Sequence, residues 1–302
     1  MSTHLKKRGD PSRTTSTTSI YVRVTEQITK ALAAGIVPWR KPWRGKELLP
    51  CNAITKRPYH GVNLLLLSLL PYADHRWLTL KQANQLGGRV KRGEQASVAV
   101  FWKYLEINDA SDEEGQRRSI PLLRQYHVFN AEQCEGLSLP VVMDDWSQDL
   151  NVRSERAEAV ISTMPNPPRI REGGSVACYQ PPEDLVRIPN LRDFDSPESY
   201  YATLFHELAH STGHADRLNR PGVTGAIRFG SCDYSREELV AELASAFCCA
   251  EVGIDNSILP NAASYIHGWL ETLQNDPKAI VAASGRAQRA ADYILNASPA
   301  SS

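Results

Sequence analysis

The residues with the clearest chemical meaning form one short motif, H-E-x-x-H, made by His206, Glu207 and His210. Residues four apart lie on the same face of an α-helix, one turn above the other. Two imidazoles placed in this way can bind a single Zn²⁺ ion at about 2.0–2.1 Å. Glu207, one step around the helix, would then reach a water on the metal and act as general base. The motif therefore predicts a hydrolytic metal site.

A tetrahedral zinc site needs a third protein ligand, and the sequence offers more than one. Asp216 completes the pattern H-E-x-x-H-x-x-G-x-x-D, in which Gly213 allows the chain to turn back. Glu238 and Glu242 lie on a second predicted helix, at 233–247. Their spacing resembles the E-x-x-A-acid arrangement in which gluzincin-like peptidases place a ligand and a supporting acid.

Glu238 also has a purely structural explanation. Ser235 and Glu238 have the spacing of a capping box, in which the glutamate side chain reaches back to the N-cap amide. In that case Glu242, one turn further along, would become the ligand. The residues alone thus leave Glu238, Glu242 and Asp216 open as the third ligand.

Other side chains near the motif are candidates for supporting roles. His214 lies four residues after the second motif histidine, but Gly213 interrupts the helix between them. We therefore expect His214 to lie beside the ligands or to face the substrate. Tyr234 or His214 could stabilise an oxyanion. Whichever of Asp216 and Glu242 is not a ligand could orient a ligand imidazole through its other N–H group.

A helix at 196–210 is predicted to position the motif. Ser196 is a good N-cap, and Pro197 suits the first helical position, where its missing N–H costs nothing. Leu204 and Phe205 supply an apolar side for packing. The residues at 175–188 predict a hairpin that leads into this helix. An edge strand beside the helix could bind an extended peptide by strand addition.

The composition is that of a globular protein without membrane spans. The chain has 302 residues, of which 42% are hydrophobic and 23% are charged. This length is sufficient for two domains, and the longest apolar run, at 64–67, is too short to cross a bilayer. Six cysteines without a C-x-x-C motif indicate a reduced, cytoplasmic protein. Residues 1–19 lack an apolar segment and are predicted to be a disordered tail.

The net charge of zero conceals an asymmetry between the two ends of the chain. Residues 1–104 contain 18 Lys and Arg against 5 Asp and Glu, which gives +13. Residues 105–302 contain 16 against 29, which gives −13. Such a division favours nucleic-acid binding by the N-terminal part.

Tryptophans and cations alternate in a proline-broken loop at 37–46, a combination that suits single-stranded nucleic acid. Trp39 and Trp43 would stack on bases while the cations contact phosphates, although one of the two could instead fill the core of the domain. Tyr59, Lys91 and their basic neighbours extend the same combination. The residues that we expect to contact DNA are Trp39, Arg40, Lys41, Trp43, Arg44, Lys46, Lys56, Arg57, Tyr59, Lys91 and Arg92.

The predicted elements give an α+β fold with a change of character near residue 150. A strong strand at 97–104 and its partner at 122–130 belong to a small α+β domain at 20–136. Residues 137–150 are polar and irregular and are predicted to be a linker. Residues 151–296 form a mainly helical domain with a short β-sheet, and 297–302 form a second tail.

Several stretches together resemble the ArdC family of plasmid antirestriction proteins, which is related to the N-terminal part of TraC-type primases. The stretches are GIVPWRKPW at 35–43, YHGVN at 59–63, HELAHSTGH at 206–214 and YSREELVAE at 234–242. The resemblance covers roughly 20–295. It implies a single-stranded-DNA-binding domain followed by a zincin-like metallopeptidase domain. It also implies that Glu238, rather than Asp216, is the third ligand.

The resemblance further implies a role in protecting incoming conjugative plasmid DNA from host restriction. The expected partners are single-stranded DNA and an unidentified protein substrate, for which a host restriction component is one candidate. The expected cofactor is Zn²⁺, with another divalent ion such as Mn²⁺ as an alternative. A different possibility is a non-catalytic DNA-coating protein with a structural or vestigial metal site. A nuclease is disfavoured, because the sequence shows no Asp-rich two-metal cluster.

Overall fold

The structure, a computed structural model, describes residues 17–40, 49–108, 117–140, 150–225, 232–257 and 263–298. The helices in these ranges are α1 (Thr17–Ala33), α2 (Val62–Ser68), α3 (Leu80–Gln85), α4 (Leu150–Thr163), α5 (Pro197–Ser211), α6 (Pro221–Thr224), α7 (Cys232–Val252), α8 (Ala263–Asn275) and α9 (Ala279–Ile294). The strands are β1 (Cys51–Asn52), β2 (Arg76–Leu78), β3 (Arg89–Val90), β4 (Ser97–Asn108), β5 (Arg117–Asn130), β6 (Cys134–Glu135), β7 (Arg169–Glu172), β8 (Cys178–Gln180) and β9 (Leu185–Ile188). The predicted α+β class is confirmed.

The first half of the chain is built on a four-stranded sheet with the order β1-β2-β5-β4. The predicted hairpin forms its larger part, because β4 and β5 pair antiparallel from Ser97↔Val128 to Asn108↔Arg117. Helix α2 covers the outer edge of β4. There the Asn63 carboxamide donates to the Val100 carbonyl and accepts from the Val100 amide, both at 2.7 Å. The edge is thereby closed to pairing with another strand at this point.

Helix α1 packs through an apolar stripe and joins the two halves of the chain. Val24, Ile28 and Leu32 recur every four residues and are all buried. They belong to the same apolar cluster as Leu208 of α5 and Leu243 of α7. The helix carrying the H-E-x-x-H motif therefore rests on a core to which both halves contribute.

The second half is mainly helical, with α5 packed against α7, and α7 packed against α9. Its three-stranded sheet has the order β7-β9-β8. The predicted hairpin is present, since β8 runs antiparallel to β9, whereas β7 is parallel to β9. Both β8 and β9 contact α5, so this sheet lies beside the motif helix.

The predicted irregular segments agree only in part with the structure. Residues 17–19 of the predicted N-terminal tail are helical, because α1 begins at Thr17. Residue 150 of the predicted linker is the first residue of α4. Residues 1–16, 141–149 and 299–302 lie outside the described residues. None of the helices in the described part of the chain combines the length and the apolar character that a membrane crossing requires.

Candidate metal centre

The two motif histidines face each other on α5. The helix begins as predicted, with Ser196 as N-cap accepting a hydrogen bond from the Ser199 amide at 3.2 Å, and with Pro197 in the first position. Four residues of helix place His210 one turn beyond His206. Their Nε2 atoms are 3.1 Å apart and the rings are nearly perpendicular, at 80°. Both ring nitrogens thus point toward one location.

Glu238 of α7 completes this group. One of its carboxylate oxygens lies 3.5 Å from His206 Nε2, and the other lies 3.5 Å from His210 Nε2. Ligand atoms bound to one tetrahedral ion at 2.0–2.2 Å are about 3.3–3.6 Å from one another. The three side chains therefore have the donor types and the spacing that fit a divalent ion. They also form the metal-binding group found among the described residues, with all ligand atoms within 4.8 Å of one another.

The structure excludes the capping box that competed for Glu238. Helix α7 begins at Cys232, before Ser235, and continues to Val252, beyond the predicted end at 247. Ser235 is therefore inside the helix and is not its N-cap. As a result, the Glu238 side chain is directed to the imidazoles of α5 rather than to its own helix terminus.

The two alternative ligands lie elsewhere. Glu242 forms an ion pair with Arg40 of the first half, with 3.1 Å between the nearest nitrogen and oxygen. Asp216 is exposed on the turn after α5, and its carboxylate lies 3.7 Å from His214 Nδ1. The Asp216 backbone amide also donates to that nitrogen, at 3.2 Å. Neither acid approaches the paired imidazoles as Glu238 does, although the charge of Glu242 contributes to raising the pKa of His206.

Electrostatics favour positive charge between the rings. Burial alone would lower the pKa of both imidazoles, but the neighbouring carboxylates outweigh it. Glu238 raises the pKa of His206, and Glu237 together with Glu238 raises the pKa of His210 to about 10. Burial would raise the pKa of Glu238, yet the two imidazoles hold it well below its ordinary value. The same carboxylates would stabilise a divalent cation at this position.

Glu207 lies on the side of α5 that faces the small sheet. Its side chain is only 8% exposed. Burial raises the pKa of the Cys178 thiol on β8, and the charge of Glu207 adds to that increase. The predicted general base is therefore close to the strand that forms the edge of the sheet, on the same helix as the candidate ligands.

Two residues that the sequence does not single out, Glu237 and Arg220, lie behind the site. Glu237 Oε1 lies 3.6 Å from His210 Nδ1, on the side of the ring opposite Glu238. Arg220 donates to Glu237 at 2.5 Å, and also to the Thr212 hydroxyl at 2.6 Å and the Ala209 carbonyl at 2.7 Å. The only signal for Glu237 in the sequence is its position next to Glu238. Arg220 has none, because the fold alone brings it there.

Gly213 is required by this packing rather than by an unusual backbone angle. A Cβ atom at this position would collide with the side chain of Val223 and lie 3.1 Å from an Arg220 nitrogen. Gly222 approaches Glu237 in the same way, with 2.7 Å from a built Cβ to a carboxylate oxygen. Both glycines let the segment after α5 close over the Arg220–Glu237 pair.

The remaining predicted site residues lie at the periphery of the group. His214 is half-buried on the turn after α5. Tyr234 is half-buried on the first turn of α7, four residues before Glu238 and thus on the same helix face.

Several residues predicted to contact DNA face the protein interior instead. Trp39 is fully buried and packs edge-on against Trp269, with 5.2 Å between ring centroids. Its carbonyl accepts a hydrogen bond from Asn256 at 3.0 Å. Arg40 pairs with Glu242, as described above. Trp39 therefore fills the core, the alternative that the sequence allowed for one tryptophan of the pair, and is not available to a base.

The other predicted DNA contacts divide by exposure. Tyr59 is only 7% exposed, so its ring is also not freely available. Residues 41–48, which include Lys41, Trp43, Arg44 and Lys46, lie outside the described residues. The remaining four, all exposed, are Lys56, Arg57, Lys91 and Arg92.

Comparison with known families divides the chain where the fold changes. Residues 18–129 match the family described as the N-terminal domain of anti-restriction factor ArdC. Residues 155–286 match the family described as zincin-like metallopeptidase. An uncharacterized protein of Sinorhizobium fredii, y4eC, is 37% identical over 292 residues, which are 92% of each chain. DNA primase TraC of Escherichia coli is 35% identical over 289 residues, which are 90% of this chain but only 19% of the primase.

Two solved structures share the fold. The metal-free crystal structure of antirestriction protein ArdC from the R388 plasmid matches with a TM-score of 0.73 and 32% identity. The match extends over 92% of this chain and 97% of the ArdC chain. The Mn(II)-bound structure of the same protein matches with a TM-score of 0.72 and 31% identity. A divalent ion is thus supported both by the zincin-like domain and by a metal-bound relative.

Proposed function

Because the chain belongs to the ArdC family of antirestriction proteins, we propose that it protects incoming conjugative plasmid DNA from host restriction. The proposal assigns single-stranded-DNA binding to the first domain and zinc-dependent peptide hydrolysis to the second. The observation that supports hydrolysis most is the convergence of His206, His210 and Glu238, with Glu207 buried on the same helix. The excess of positive charge in residues 1–104 supports DNA binding.

The chemistry follows from the residues around the site. When bound, the ion would make a water molecule acidic near neutral pH and would polarise a substrate carbonyl. Glu207 accepts the proton of the attacking water and later delivers it to the leaving amine. His214 or Tyr234 donates a hydrogen bond to the developing oxyanion. Glu237, held by Arg220, fixes the ring of His210.

Strand β8 is suited to hold the substrate in this scheme. Among the strands that the structure describes, β8 pairs only with β9, so its other edge is available to an extended peptide. The strand contacts α5, and the charge of Glu207 contributes to raising the pKa of Cys178 on this strand. A peptide added to this edge would pass close to Glu207 and would be bound mainly through its backbone. A denatured or loop segment of a protein is therefore the expected class of substrate.

Replacement of the general base tests the hydrolytic part of the proposal. Glu207→Gln is expected to retain the metal, because Glu207 is not a ligand, and to abolish cleavage of a mixed quenched-fluorescence peptide library. Glu198→Gln, on the first turn of the same helix, is the matched control and is expected to cleave like the parent. Equal cleavage rates for Glu207→Gln and the parent would disprove the mechanism.

The same variant separates catalysis from DNA coating in cells. If hydrolysis is needed for protection, a plasmid carrying Glu207→Gln is expected to lose transfer efficiency into a restricting host but not into a restriction-deficient one. Equal protection by parent and variant would show that the metal site does not act through Glu207, and would leave DNA binding as the protective activity.

A further inference from the structure

Three aromatic rings lie side by side on one face of the β4–β5 hairpin. The ring centroids of Phe101 and Tyr126 are 5.2 Å apart, and those of Phe101 and Tyr59 are 6.2 Å apart. Phe101 is 41% exposed and Tyr126 is 45% exposed, whereas Tyr59 is buried beside them. Two large apolar rings are thus presented to solvent next to a third that supports them.

The strand register shows that these rings share a face. Phe101 pairs with Arg124, and Tyr126 pairs with Ala99, so Phe101 and Tyr126 are diagonal neighbours on one side of the hairpin. Further along the same face, Ala99 and Val128 are buried in a cluster with Tyr59. The covered part of the face ends at the rings of Phe101 and Tyr126, and their exposure is therefore not needed to complete this core.

The charge on this face is positive. Arg124 lies directly opposite Phe101, and Lys103 is the next residue of β4 on the same face; both are exposed. Residues 97–103 and 122–128 contain no Asp or Glu. Lys56 and Arg57, also exposed, immediately precede the segment that carries Tyr59. A face that combines exposed rings with cations and excludes acids complements a polyanion that carries flat bases.

We propose that this face, defined by Phe101, Tyr126, Arg124 and Lys103, binds single-stranded DNA. Bases stack on the rings of Phe101 and Tyr126, while Arg124 and Lys103 contact the phosphates on either side. The proposal rests on the DNA-binding function proposed above and assigns it a surface in place of Trp39 and Arg40. Because every base has a π-face, the binding is sequence-tolerant.

The test measures the affinity of the full-length protein for a fluorescein-labelled oligo(dT) by anisotropy. Loss of stacking on one ring is expected to weaken binding about 5- to 150-fold in Phe101→Ala and in Tyr126→Ala. Trp102→Ala is the matched control, because Trp102 is also 41% exposed and lies on the opposite face of the same strand. It is expected to bind as the parent does, and Phe101→Tyr is expected to retain most of the affinity.

A salt titration examines the cations separately. Removal of one phosphate contact on single-stranded DNA reduces the slope of log K against log [salt] by about 0.7. Arg124→Gln is expected to show this reduction. Because this substitution removes neither ring, it tests whether this face contacts DNA even where an alanine variant has a lower melting temperature than the parent.

The outcomes separate this surface from the wider DNA-binding function. If the parent does not bind the oligonucleotide, both proposals are wrong. If the parent binds, and folded Phe101→Ala, Tyr126→Ala and Arg124→Gln bind equally well, the surface is wrong and the DNA site lies elsewhere on the domain. An equal loss of affinity in Trp102→Ala would also overturn the assignment, because it would show no preference for this face.

Discussion

Removal of Arg220 should damage the protein in two ways that can be measured separately. Arg220 and Glu237 are 6% and 7% exposed, so they form a buried ion pair. The guanidinium also donates to Thr212 and Ala209 at the end of α5. In Arg220→Met the Glu237 carboxylate remains buried without its partner. One consequence is a loss of global stability, and the other is a loss of orientation of the His210 ring.

The magnitude of the first effect follows from the burial of the pair. Breaking a buried ion pair by removal of one partner costs about 3–5 kcal/mol in the free energy of unfolding. For a chain of 302 residues, such a loss lowers the melting temperature by about 5–8 °C. Replacement of both partners by apolar residues of similar size, in Arg220→Met with Glu237→Leu, is expected to recover most of this loss, because no charge remains buried.

The second effect is expected to persist in the double variant. Loss of a group that orients a metal-binding imidazole typically weakens metal binding about 10- to 100-fold. The double variant should therefore melt close to the parent in the presence of a chelator, yet bind Zn²⁺ about 10- to 100-fold more weakly in competition with a chelating dye. Melting in chelator is needed because bound metal itself raises the melting temperature.

Two results would refute this reasoning. If Arg220→Met melts with the parent, the carboxylate of Glu237 is not stranded in a low-dielectric environment. If the double variant binds Zn²⁺ as tightly as the parent, Glu237 does not orient His210. Glu198→Gln, on the half-buried first turn of α5, provides the matched charge removal that should change neither quantity.

Three further outcomes follow from other contacts. Burial would raise the pKa of Asp184, but hydrogen bonds from Arg217 lower it below its ordinary value. Asp184→Asn should therefore reduce the free energy of unfolding in urea at pH 7. The difference in stability between this variant and the parent should disappear as the pH falls below about 4. Trp39→Ala, which removes the ring packed against Trp269, should cost about 3–5 kcal/mol in the same assay; loss of DNA affinity without loss of stability would instead support base stacking. Gly213→Ala should lower the melting temperature through overpacking worth about 1–3 kcal/mol, and an unchanged melt would contradict the close approach seen here.

The motif helix could be predicted from the sequence because its signals are local. Ser196 and Pro197 mark its start, and the spacing of His206 and His210 places them on one face wherever the helix packs. The choice of Glu238 over Glu242 and Asp216 was not local, since it depends on how α7 crosses α5. The resemblance to a family favoured Glu238, which the structure places beside the two imidazoles, whereas the capping-box spacing of Ser235 favoured a structural role for it.

The sequence could not show which tryptophan of the pair lies in the core, for a similar reason. A tryptophan beside arginine suits either a base or a second aromatic ring, and Trp39 has Trp269, from a distant helix, as its neighbour. The strand pattern at 97–104 predicted β4 correctly but not which of its faces would be covered. The positions of α1 and α2 decide this, and they leave Phe101 and Tyr126 exposed.

The carboxylates of α7 show how the metal centre depends on the rest of the fold. Glu238 faces the two imidazoles, Glu237 is held by Arg220 from the segment after α5, and Glu242 is held by Arg40 from the first domain. The helix that carries the candidate ligand Glu238 therefore forms ion pairs on both sides of that residue. Because Arg40 belongs to the domain proposed to bind DNA, the helix that carries Glu238 is also in contact with the first domain. The apolar cluster shared by α1, α5 and α7 joins the two domains in the same way by packing.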